Sequence, residues 1–244
     1  MLFCNIDLLD EKFETKGNQY VGVKDGRIAY IGASEPEEDF GERYDGRHRL
    51  LMPAFYNVHS HAPMTLLRGY AENLPLQRWL GEKAAYYGTL LAISEMLASG
   101  TASFSDMYFF FGGMVPAILE SGIKCNLSRG LTVFDDSDYT DLPAYRDNVR
   151  LRGEWNGANN GRLIGDLCIH GEYTSNPKIV EAVAQHARET GARIQIHLSE
   201  TQTEHEECKG RHGLTPAAYM EKHGIFDSPT TAAHCVWLDR KSVV

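Results

Sequence analysis

The sequence predicts an α/β fold: a (β/α)8 barrel of the TIM type, preceded by a small N-terminal β-sandwich-like unit. The first observation behind this prediction is that six short apolar runs alternate with helix-period segments from residue 51 onward, as parallel β-α units require. The second is that four of these runs end in histidine, and the active sites of such barrels lie at the carboxyl ends of the strands. Six units are fewer than the eight of a closed barrel, so we expect the barrel to be incomplete at its C-terminus.

An open, doubly wound parallel sheet is the alternative architecture. That fold usually carries a glycine-rich turn after its first strand, whereas the first predicted strand here is followed by His-Ala-Pro-Met at residues 61–64. We therefore favour the barrel. A parallel barrel left open would expose its interior face and two strand edges to water, which disfavours solubility, so we expect that the sequence omits the end of the barrel. We therefore expect two domains, the N-terminal part of a composite β-sandwich over residues 1–50 and an incomplete barrel over residues 51–244.

The elements follow from local patterns along the chain. Residues 20–32 place β-branched and aromatic residues on both sides of Asp25-Gly26, which is typical of a β-hairpin with a two-residue turn. The predicted barrel strands cover residues 53–58, 101–106, 124–130, 164–170, 192–197 and 230–236. The predicted helices include residues 84–99, 113–121, 142–153, 177–190 and 215–223.

The composition is that of an ordinary globular protein, with 43% hydrophobic and 23% charged residues among 244. No apolar stretch approaches the ~20 residues of a membrane-spanning helix, and the N-terminus lacks the basic start of a signal peptide. We therefore expect a cytoplasmic protein with no membrane partner. A net charge of -9 disfavours nucleic acid as a partner. The five cysteines form no C-x-x-C pair, which predicts reduced core thiols.

His59 and His61 are the most informative candidate metal ligands. They end the first predicted barrel strand, and side chains two apart on a strand leave the same face, so both imidazoles can bind one metal ion. His170, His197 and His234 end later strands in the same way. Zinc binds neutral imidazole readily, and a catalytic zinc lowers the pKa of its bound water to roughly 7. The histidine pattern therefore predicts metal-dependent hydrolysis.

Glu200 and two of these histidines are candidates for further steps. Glu200 lies three residues past His197, where a carboxylate can relay a proton between water and a leaving group; a solvated loop carboxylate is the alternative. His234 can orient the water or stabilise charge on the substrate, or it can be a structural core histidine. His170 can bind substrate, or it can pair with the nearby Glu172.

Two further segments have simpler interpretations. The aromatic run at residues 108–111 follows the second barrel strand and could line a purine pocket, but such clusters are more often core or interface. The segment at residues 204–209 mixes metal-binding residue types with charges and fits the solvated start of a helix. We assign neither segment to catalysis.

Three motifs along the chain occur together in one enzyme superfamily. Residues 52–76 read MPAFYNVHSHAPMTLLRGYAENLPL, residues 197–201 read HLSET, and residues 233–236 read AHCV. In this order they resemble the first-, fifth- and sixth-strand motifs of the amidohydrolase superfamily. The branch they resemble most is that of 5-methylthioadenosine/S-adenosylhomocysteine deaminases and related chlorohydrolases. The resemblance runs over nearly the whole chain.

The resemblance implies one divalent metal ion, zinc in the first place and iron as the alternative. The implied ligands of this metal are His59, His61 and His197. Glu200 matches the proton-shuttling glutamate, which also contacts substrate, and His234 matches the histidine that contacts the water. His170 and Arg129 resemble substrate-binding positions. Members of the family often form dimers or tetramers, so the resemblance also implies a homo-oligomer.

The chain departs from the family pattern in three places. Family members continue through further strands, the last of which supplies a metal-binding aspartate, and no residue here matches it. The loop after Leu80 is shorter and lacks the glutamate that contacts a ribose, and the tail at residues 239–244 lacks a helix before the next strand. We expect that the sequence omits residues of the natural protein. A degraded, inactive gene product is the alternative.

The sequence leads to a metal-dependent hydrolytic deaminase in which hydroxide adds to an amidine-like ring carbon, Glu200 moves the proton and ammonia leaves. The resemblance supplies the substrate, an aminopurine nucleoside such as 5-methylthioadenosine or S-adenosylhomocysteine. The first alternative is deamination or dechlorination of another N-heterocycle, such as guanine, cytosine or a triazine. The second, from another class, is a non-catalytic metal-binding or assembly protein.

Overall fold

The computed structural model describes residues 1–69 and 81–239, and the chain divides into two compact units, Met1–Ala54 and Phe55–Val244. Residues 70–80 and 240–244 lie outside the described residues. They include the end of the first motif, the chain that leads into the shortened loop at Leu80, and the tail. That the first unit belongs to a composite β-sandwich stays a prediction.

The first unit is a five-stranded mixed sheet. Its strands are β1 (Leu2–Leu9), β2 (Thr15–Lys24), β3 (Arg27–Gly32), β4 (Arg43–Asp45) and β5 (Leu50–Leu51). Their order is β3-β2-β1-β4, with β5 also on β1; β2 is antiparallel to both neighbours, while β4 and β5 run parallel to β1. The predicted hairpin is confirmed, because Asp25 and Gly26 turn between β2 and β3 with φ of 52° and 71°, as a type I′ turn requires.

Six strands form the sheet of the second unit, in sequence order and each parallel to the next. They are β6 (Phe55–Ser60), β7 (Thr101–Tyr108), β8 (Lys124–Arg129), β9 (Leu163–Ile169), β10 (Ile194–Leu198) and β11 (Thr230–His234). Because the strands are parallel, their carboxyl ends meet at one edge of the sheet. The predicted barrel architecture is confirmed, with six parallel strands in the described residues.

Helices follow β6, β7, β8, β9 and β10 of this unit. They are α1 (Glu82–Ala98), α2 (Phe111–Ser121), α3 (Pro143–Trp155), the single turn α4 (Ala158–Gly161), α5 (Pro177–Thr190), α6 (Gln202–His212) and α7 (Pro216–Lys222). The pattern predicted only the start of α6, because the positions that this helix buries are Glu204, His205 and Cys208 rather than an apolar stripe. The expected solvation is wrong for Glu204, which is 4% exposed.

Helix α5 shows how the sequence sets a boundary and a face. Asn176 caps its N-terminus by accepting a hydrogen bond from the Ile179 amide at 3.0 Å, and Pro177 occupies the first turn. Gly191 ends the helix with φ of 63°, a left-handed position that glycine adopts without strain. The helix buries one apolar stripe at helical spacing, made of Ile179, Val180, Val183, Ala184 and Ala187.

The apolar stripe of α5 packs on β9 and β10, and this packing orients the opposite face of the strands. Leu167 and Ile169 of β9 belong to the same buried cluster as the α5 residues. Since strand side chains alternate, Asp166 and His170 point the other way, into the barrel. Gln195 of β10 donates to Asp166 Oδ2 at 3.1 Å, so polar residues bond to one another below the histidines.

In the part of the chain that the structure describes, no helix combines the length and the apolar character needed to cross a membrane. All five cysteines are free. Four of them are buried, and the fifth, Cys235, is half-buried. The prediction that the cysteines are core thiols is therefore confirmed for those four.

Candidate metal centre and active site

Four imidazole rings meet at the carboxyl edge of the parallel sheet. The ring centroid of His59 lies 4.9 Å from those of His61 and His197 and 5.0 Å from that of His234. His59, His197 and His234 each offer one ligand atom, and these atoms lie within 4.8 Å of one another. The ring of His61 lies 5.4 Å from that of His197. The strand ends thus bring together the predicted ligands and one further histidine.

Hydrogen bonds set the orientation of two of these rings. Nδ1 of His61 is 2.7 Å from the carbonyl oxygen of Met107, and Nδ1 of His197 is 2.7 Å from the carbonyl oxygen of His170. A carbonyl can only accept, so Nδ1 of each ring carries the proton and Nε2 keeps a free lone pair. A backbone carbonyl on the remote nitrogen is the usual support of a metal-binding histidine.

The third ring carries an unsatisfied atom. Nε2 of His59 is buried and has no hydrogen-bond partner, although buried polar atoms are nearly always paired. A ligand bound between the rings would satisfy it. The donor set of closely spaced imidazoles fits a divalent metal ion of borderline softness.

The surroundings keep the imidazoles of His59 and His197 neutral at neutral pH. Burial lowers the pKa of His59 to about 4, with the charges of His61 and His234 adding to the effect. Burial also lowers the pKa of His197 to about 3, helped by His170 and His59. A metal binds only the neutral ring, so at neutral pH no proton has to be displaced from these two side chains.

The metal-free protein should lose stability as the pH falls from 6.5 toward 4. An unfolded histidine takes up a proton near pH 6.5, whereas the folded-state pKa values of His59 and His197 are about 4 and about 3. In that window the unfolded state binds more protons, so the free energy of unfolding falls with the pH. Asp106 has the opposite effect, because burial raises its pKa to about 7 and its contribution to the free energy of unfolding therefore increases as the pH falls. The net pH dependence of stability is the difference between the two effects.

A variant isolates the contribution of His197. We expect the free energy of urea unfolding of the metal-free wild type, minus that of His197→Gln, to be smaller at pH 5 than at pH 7. His48→Gln, at an exposed position outside the cluster, is the control variant for the loss of one imidazole. A His197→Gln difference that is equal at both pH values would contradict the lowered pKa.

Glu200 lies next to the imidazole cluster. It follows the end of β10, and its Oε2 is 3.6 Å from Nε2 of His234. Its side chain is 41% exposed, so the carboxylate can exchange protons with water. Ser199 and His234 have φ of 49° and 72°. These left-handed residues turn the chain sharply at the ends of β10 and β11, where Glu200 and His234 meet.

Glu204 holds the backbone on which Glu200 sits. Its Oε1 accepts a hydrogen bond from the Ser199 amide at 3.0 Å, and its Oε2 accepts one from the Glu200 amide at 2.7 Å. The Glu204 amide in turn donates to Oγ1 of Thr201, the N-cap of α6, at 3.1 Å. The Thr-x-x-Glu sequence is that of a capping box, here with the glutamate reaching back to two amides before the cap.

We expect Glu204→Gln to lower the free energy of unfolding by about 1–3 kcal/mol, because a carboxamide offers one acceptor oxygen and leaves one buried amide unpaired. Urea denaturation measures the change. The matched control is Glu206→Gln in the same helix, since the exposed Glu206 carboxylate bonds with Lys209 at the surface and its replacement should change stability by less than about 0.5 kcal/mol. Equal effects of the two variants would contradict the role of Glu204.

His170 lies beside the cluster and has its own partner. Its ring centroid is 4.7 Å from that of His197, and its Nδ1 is 3.1 Å from Oγ1 of Thr174. The alternative of a bond to Glu172 is wrong, because the Glu172 carboxylate contacts Arg211 at 2.6 Å and His212 at 2.8 Å.

Arg129 forms an ion pair with helix α3. Its Nε donates to Oδ2 of Asp147 in α3 at 3.2 Å, and its guanidinium lies 5.1 Å from the ring centroid of Phe109. The side chain is 17% exposed. Its charge is therefore already paired, and a role in substrate binding stays a prediction.

A cavity of 80 Å³ adjoins the cluster. It is lined by His61, Met64, Met107, Tyr108, Phe109, Gly130 and His170. The sequence interpretation assigned residues 108–111 to core or interface; Tyr108 and Phe111 do belong to a buried core cluster, but Tyr108 and Phe109 also line this cavity. The signal that could have found them is their position directly at the end of β7, the same signal that found the histidines.

The fold and the histidine cluster agree with a match to a known protein family. Residues 50–244 match the model of the amidohydrolase family, which is well over half of the chain. The chain belongs to the amidohydrolase family. Membership confirms the resemblance inferred from the three motifs.

Curated relatives of this amidohydrolase cover all or nearly all of it. It is 37% identical to a 5-methylthioadenosine/S-adenosylhomocysteine deaminase of Syntrophomonas wolfei, over 100% of this chain and 59% of that protein. It is 34% identical to a 5'-deoxyadenosine deaminase of Methanothermobacter thermautotrophicus, over 98% of this chain and 58% of that protein. The chain thus spans a little under three fifths of the length of these relatives.

Solved structures share the fold of this amidohydrolase. A zinc complex of an atrazine chlorohydrolase from Arthrobacter aurescens superposes with a TM-score of 0.85 at 18% identity, over 98% of this chain and 62% of that one. A guanine deaminase from C. acetobutylicum with bound guanine gives a TM-score of 0.83 at 18% identity, over 99% and 64%. Both likenesses concern the fold.

The amidohydrolase barrel brings most of the predicted site residues to one edge. These are His59, His61, His170, His197, Glu200 and His234, whereas Arg129 bonds toward α3. The three ligand atoms that lie within 4.8 Å of one another belong to His59, His197 and His234, and His61 is not in this group. The assignment of His61 as the third ligand therefore stays a prediction, which a pair of variants can test.

Proposed function

We propose that this amidohydrolase chain forms the metal-binding part of a hydrolytic deaminase that acts on an aminopurine nucleoside. The observation that carries the proposal is that a cluster of neutral imidazoles and one solvent-accessible carboxylate, Glu200, lie together at the carboxyl edge of the strands. The curated relatives support it, since they are named as deaminases of 5-methylthioadenosine, S-adenosylhomocysteine and 5'-deoxyadenosine.

The proposed ligands of the metal are His59, His61 and His197, and zinc is the proposed ion. The free Nε2 atoms of His61 and His197 and the unpaired Nε2 of His59 support this set. When bound, such a metal supplies Lewis acidity and brings the pKa of water to roughly 7. The chain's contribution is to hold three neutral rings at fixed orientation.

Glu200 is the proposed general base and acid. Its carboxylate takes a proton from water and delivers it to the departing amine, which leaves as ammonia. His234, whose Nε2 lies 3.6 Å from Oε2 of this carboxylate, orients the water that adds to the ring carbon, while the negative charge of that addition develops on the neighbouring ring nitrogen of the substrate. Glu204 holds the Glu200 backbone in place during both transfers.

The substrate pocket is proposed to include the cavity beside His61. The rings of Tyr108 and Phe109 offer aromatic surface to a purine, and His170 offers a hydrogen-bonding nitrogen at the rim. Arg129, if it contacts substrate, does so after release from Asp147. The first alternative, deamination or dechlorination of another N-heterocycle, uses the same residues.

Product analysis tests the proposal against both alternatives. The purified chain, loaded with one equivalent of zinc, is incubated separately with 5'-methylthioadenosine, S-adenosylhomocysteine, guanine and a chlorotriazine. Ammonia from the adenosine compounds supports the proposal, whereas ammonia from guanine or chloride from the triazine supports the first alternative. Bound zinc without release of either product overturns the proposal in favour of a non-catalytic metal-binding protein.

A further inference from the structure

Asp106 lies next to the end of β6, which carries His59 and is followed by His61. It belongs to β7 and is fully buried. Its Oδ2 accepts a hydrogen bond from the amide of Ala62 at 2.6 Å and lies 2.8 Å from Oγ of Ser60, whose hydroxyl is shared between this oxygen and the Ser105 carbonyl at 2.9 Å. Both donors flank His61 in the chain, so a single carboxylate oxygen ties down the two residues on either side of this imidazole.

We propose that Asp106 is a positioning residue that fixes the His59-Ser60-His61 segment, so that both imidazoles stay directed at one point. Met107, the next residue of β7, also fixes His61, because its carbonyl oxygen accepts a hydrogen bond from Nδ1 of His61 at 2.7 Å. Asp106 and Met107 thus determine the backbone and the ring orientation of His61 together. The part of this inference that concerns a bound metal ion rests on the proposed function.

Backbone pairing leaves a gap that these side-chain bonds fill. The parallel register of β6 and β7 shifts between Asn57 and Ser60, and it resumes at the Ser60–Asp106 pair. His59 lies inside the shifted stretch, where its amide is bonded by Oδ1 of its neighbour Asn57 at 3.3 Å. A side-chain acceptor therefore bonds the His59 amide where the register shifts, and Asp106 bonds the Ala62 amide just beyond the strand.

The surroundings of Asp106 show that packing alone does not explain a carboxylate. Phe104 and Tyr108, on the same face of β7, belong to a buried apolar cluster. The second oxygen of Asp106, Oδ1, is buried there without a partner. An unpaired polar atom in an apolar environment is destabilising, so the acceptor function of Oδ2 is the feature that an apolar side chain cannot supply.

Zinc affinity of the whole chain, measured by competition with a chromophoric chelator, tests the inference. We expect Asp106→Ala to weaken zinc binding about 10–100-fold, the usual loss when a supporting partner of a metal ligand is removed. Asp106→Asn keeps an acceptor oxygen at the same position and should restore affinity to within about threefold of wild type. The absorption bands of bound Co²⁺ should change in Asp106→Ala and return in Asp106→Asn.

Asp166 is the matched control. It is a buried aspartate on β9 that bonds with Arg193 and Gln195, not with the His59-Ser60-His61 segment. Asp166→Ala should lower stability while leaving zinc affinity within about threefold of wild type. If Asp106→Ala does not fold, Ser60→Ala removes one of the two anchors without a large core cavity and should still weaken zinc binding measurably.

A metal-free measurement separates this inference from the proposed function. Long-range ¹H-¹⁵N spectra of the imidazoles should show His61 protonated at Nδ1 in the wild type and in Asp106→Asn, but a tautomer mixture in Asp106→Ala. If wild type binds no zinc, the proposed function fails and the spectra still decide the role of Asp106. Unchanged zinc affinity in folded Asp106→Ala or Ser60→Ala, or an unchanged His61 tautomer in Asp106→Ala, overturns the inference.

Discussion

Replacing Glu200 with glutamine should lower the rate of ammonia release about 10²–10⁴-fold, the usual contribution of a positioned general acid-base group. Glutamine has nearly the same shape but cannot carry a proton between water and the leaving amine. Glu200 lies outside the group of closest ligand atoms, and its carboxylate is partly exposed beside His234. Zinc content should therefore remain at the wild-type level.

The measurement is the single-turnover rate of deamination of 5'-methylthioadenosine by zinc-loaded protein, together with metal content by emission spectroscopy. Glu206→Gln, an exposed glutamate in the adjoining helix, controls for the loss of one negative charge. Retention of more than one tenth of the wild-type rate by Glu200→Gln would refute the assignment of Glu200 as proton carrier. A loss of zinc would instead make it a ligand or a structural group.

The same variant distinguishes the two kinds of leaving group. An amine must be protonated before it departs, whereas chloride leaves without a proton. Glu200→Gln should thus impair ammonia release more severely than chloride release from a chlorotriazine. If the wild-type chain prefers the chlorotriazine and the variant retains that activity, the aminopurine assignment is wrong.

The barrel and the position of the site could be predicted from sequence because both depend on local patterns. Apolar runs that end in histidine specify parallel strands and place their last side chains at one edge. His59, His61, His170, His197 and His234 do meet there. The Asp25-Gly26 turn was predictable for the same reason, since its conformation depends on two adjacent residues.

The contacts that support the site could not be predicted, because they join residues far apart in sequence. Ser60 and Asp106 are 46 residues apart, and Arg129 finds its partner Asp147 on a helix rather than in the site. The direction of a side chain at a strand end also depends on backbone that has left the extended region. Ser199 and His234 have positive φ, so strand alternation no longer determines where the following side chains point.

Buried polar residues are the second kind of feature that a hydrophobic pattern conceals. Glu204 has the sequence surroundings of a solvated helix start, yet its two oxygens bond the amides that precede the helix. The Thr-x-x-Glu spacing was visible in the sequence, but not which amides the glutamate reaches. The supporting residues of this site, Asp106 and Glu204, are thus both acceptors for backbone amides next to proposed functional residues.

Removal of His197 should abolish stoichiometric zinc binding, with an affinity loss of more than about 100-fold, because loss of a mere supporting partner already weakens binding 10–100-fold. His197 is the best-fixed ring of the cluster. It is 3% exposed, its Nδ1 is bonded to a backbone carbonyl, and burial lowers its pKa to about 3. His197→Ala and the larger His197→Gln should behave alike in chelator competition, which excludes a cavity effect. His212→Ala, a histidine outside the cluster, should bind zinc as wild type does.

Two further variants decide which histidine is the third ligand. The proposed set predicts that His61→Ala loses zinc about as severely as His197→Ala, while His234→Ala keeps the metal and loses rate. The argument for His61 is that Met107 fixes its Nδ1 as a donor and leaves Nε2 free, whereas Nε2 of His234 faces the Glu200 carboxylate. The three ligand atoms within 4.8 Å of one another belong to His59, His197 and His234. A ligand set made of these residues predicts the reverse, namely that His234→Ala loses zinc and His61→Ala keeps it. Zinc titration of the two variants therefore separates the two ligand sets, because each set predicts metal loss in a different protein.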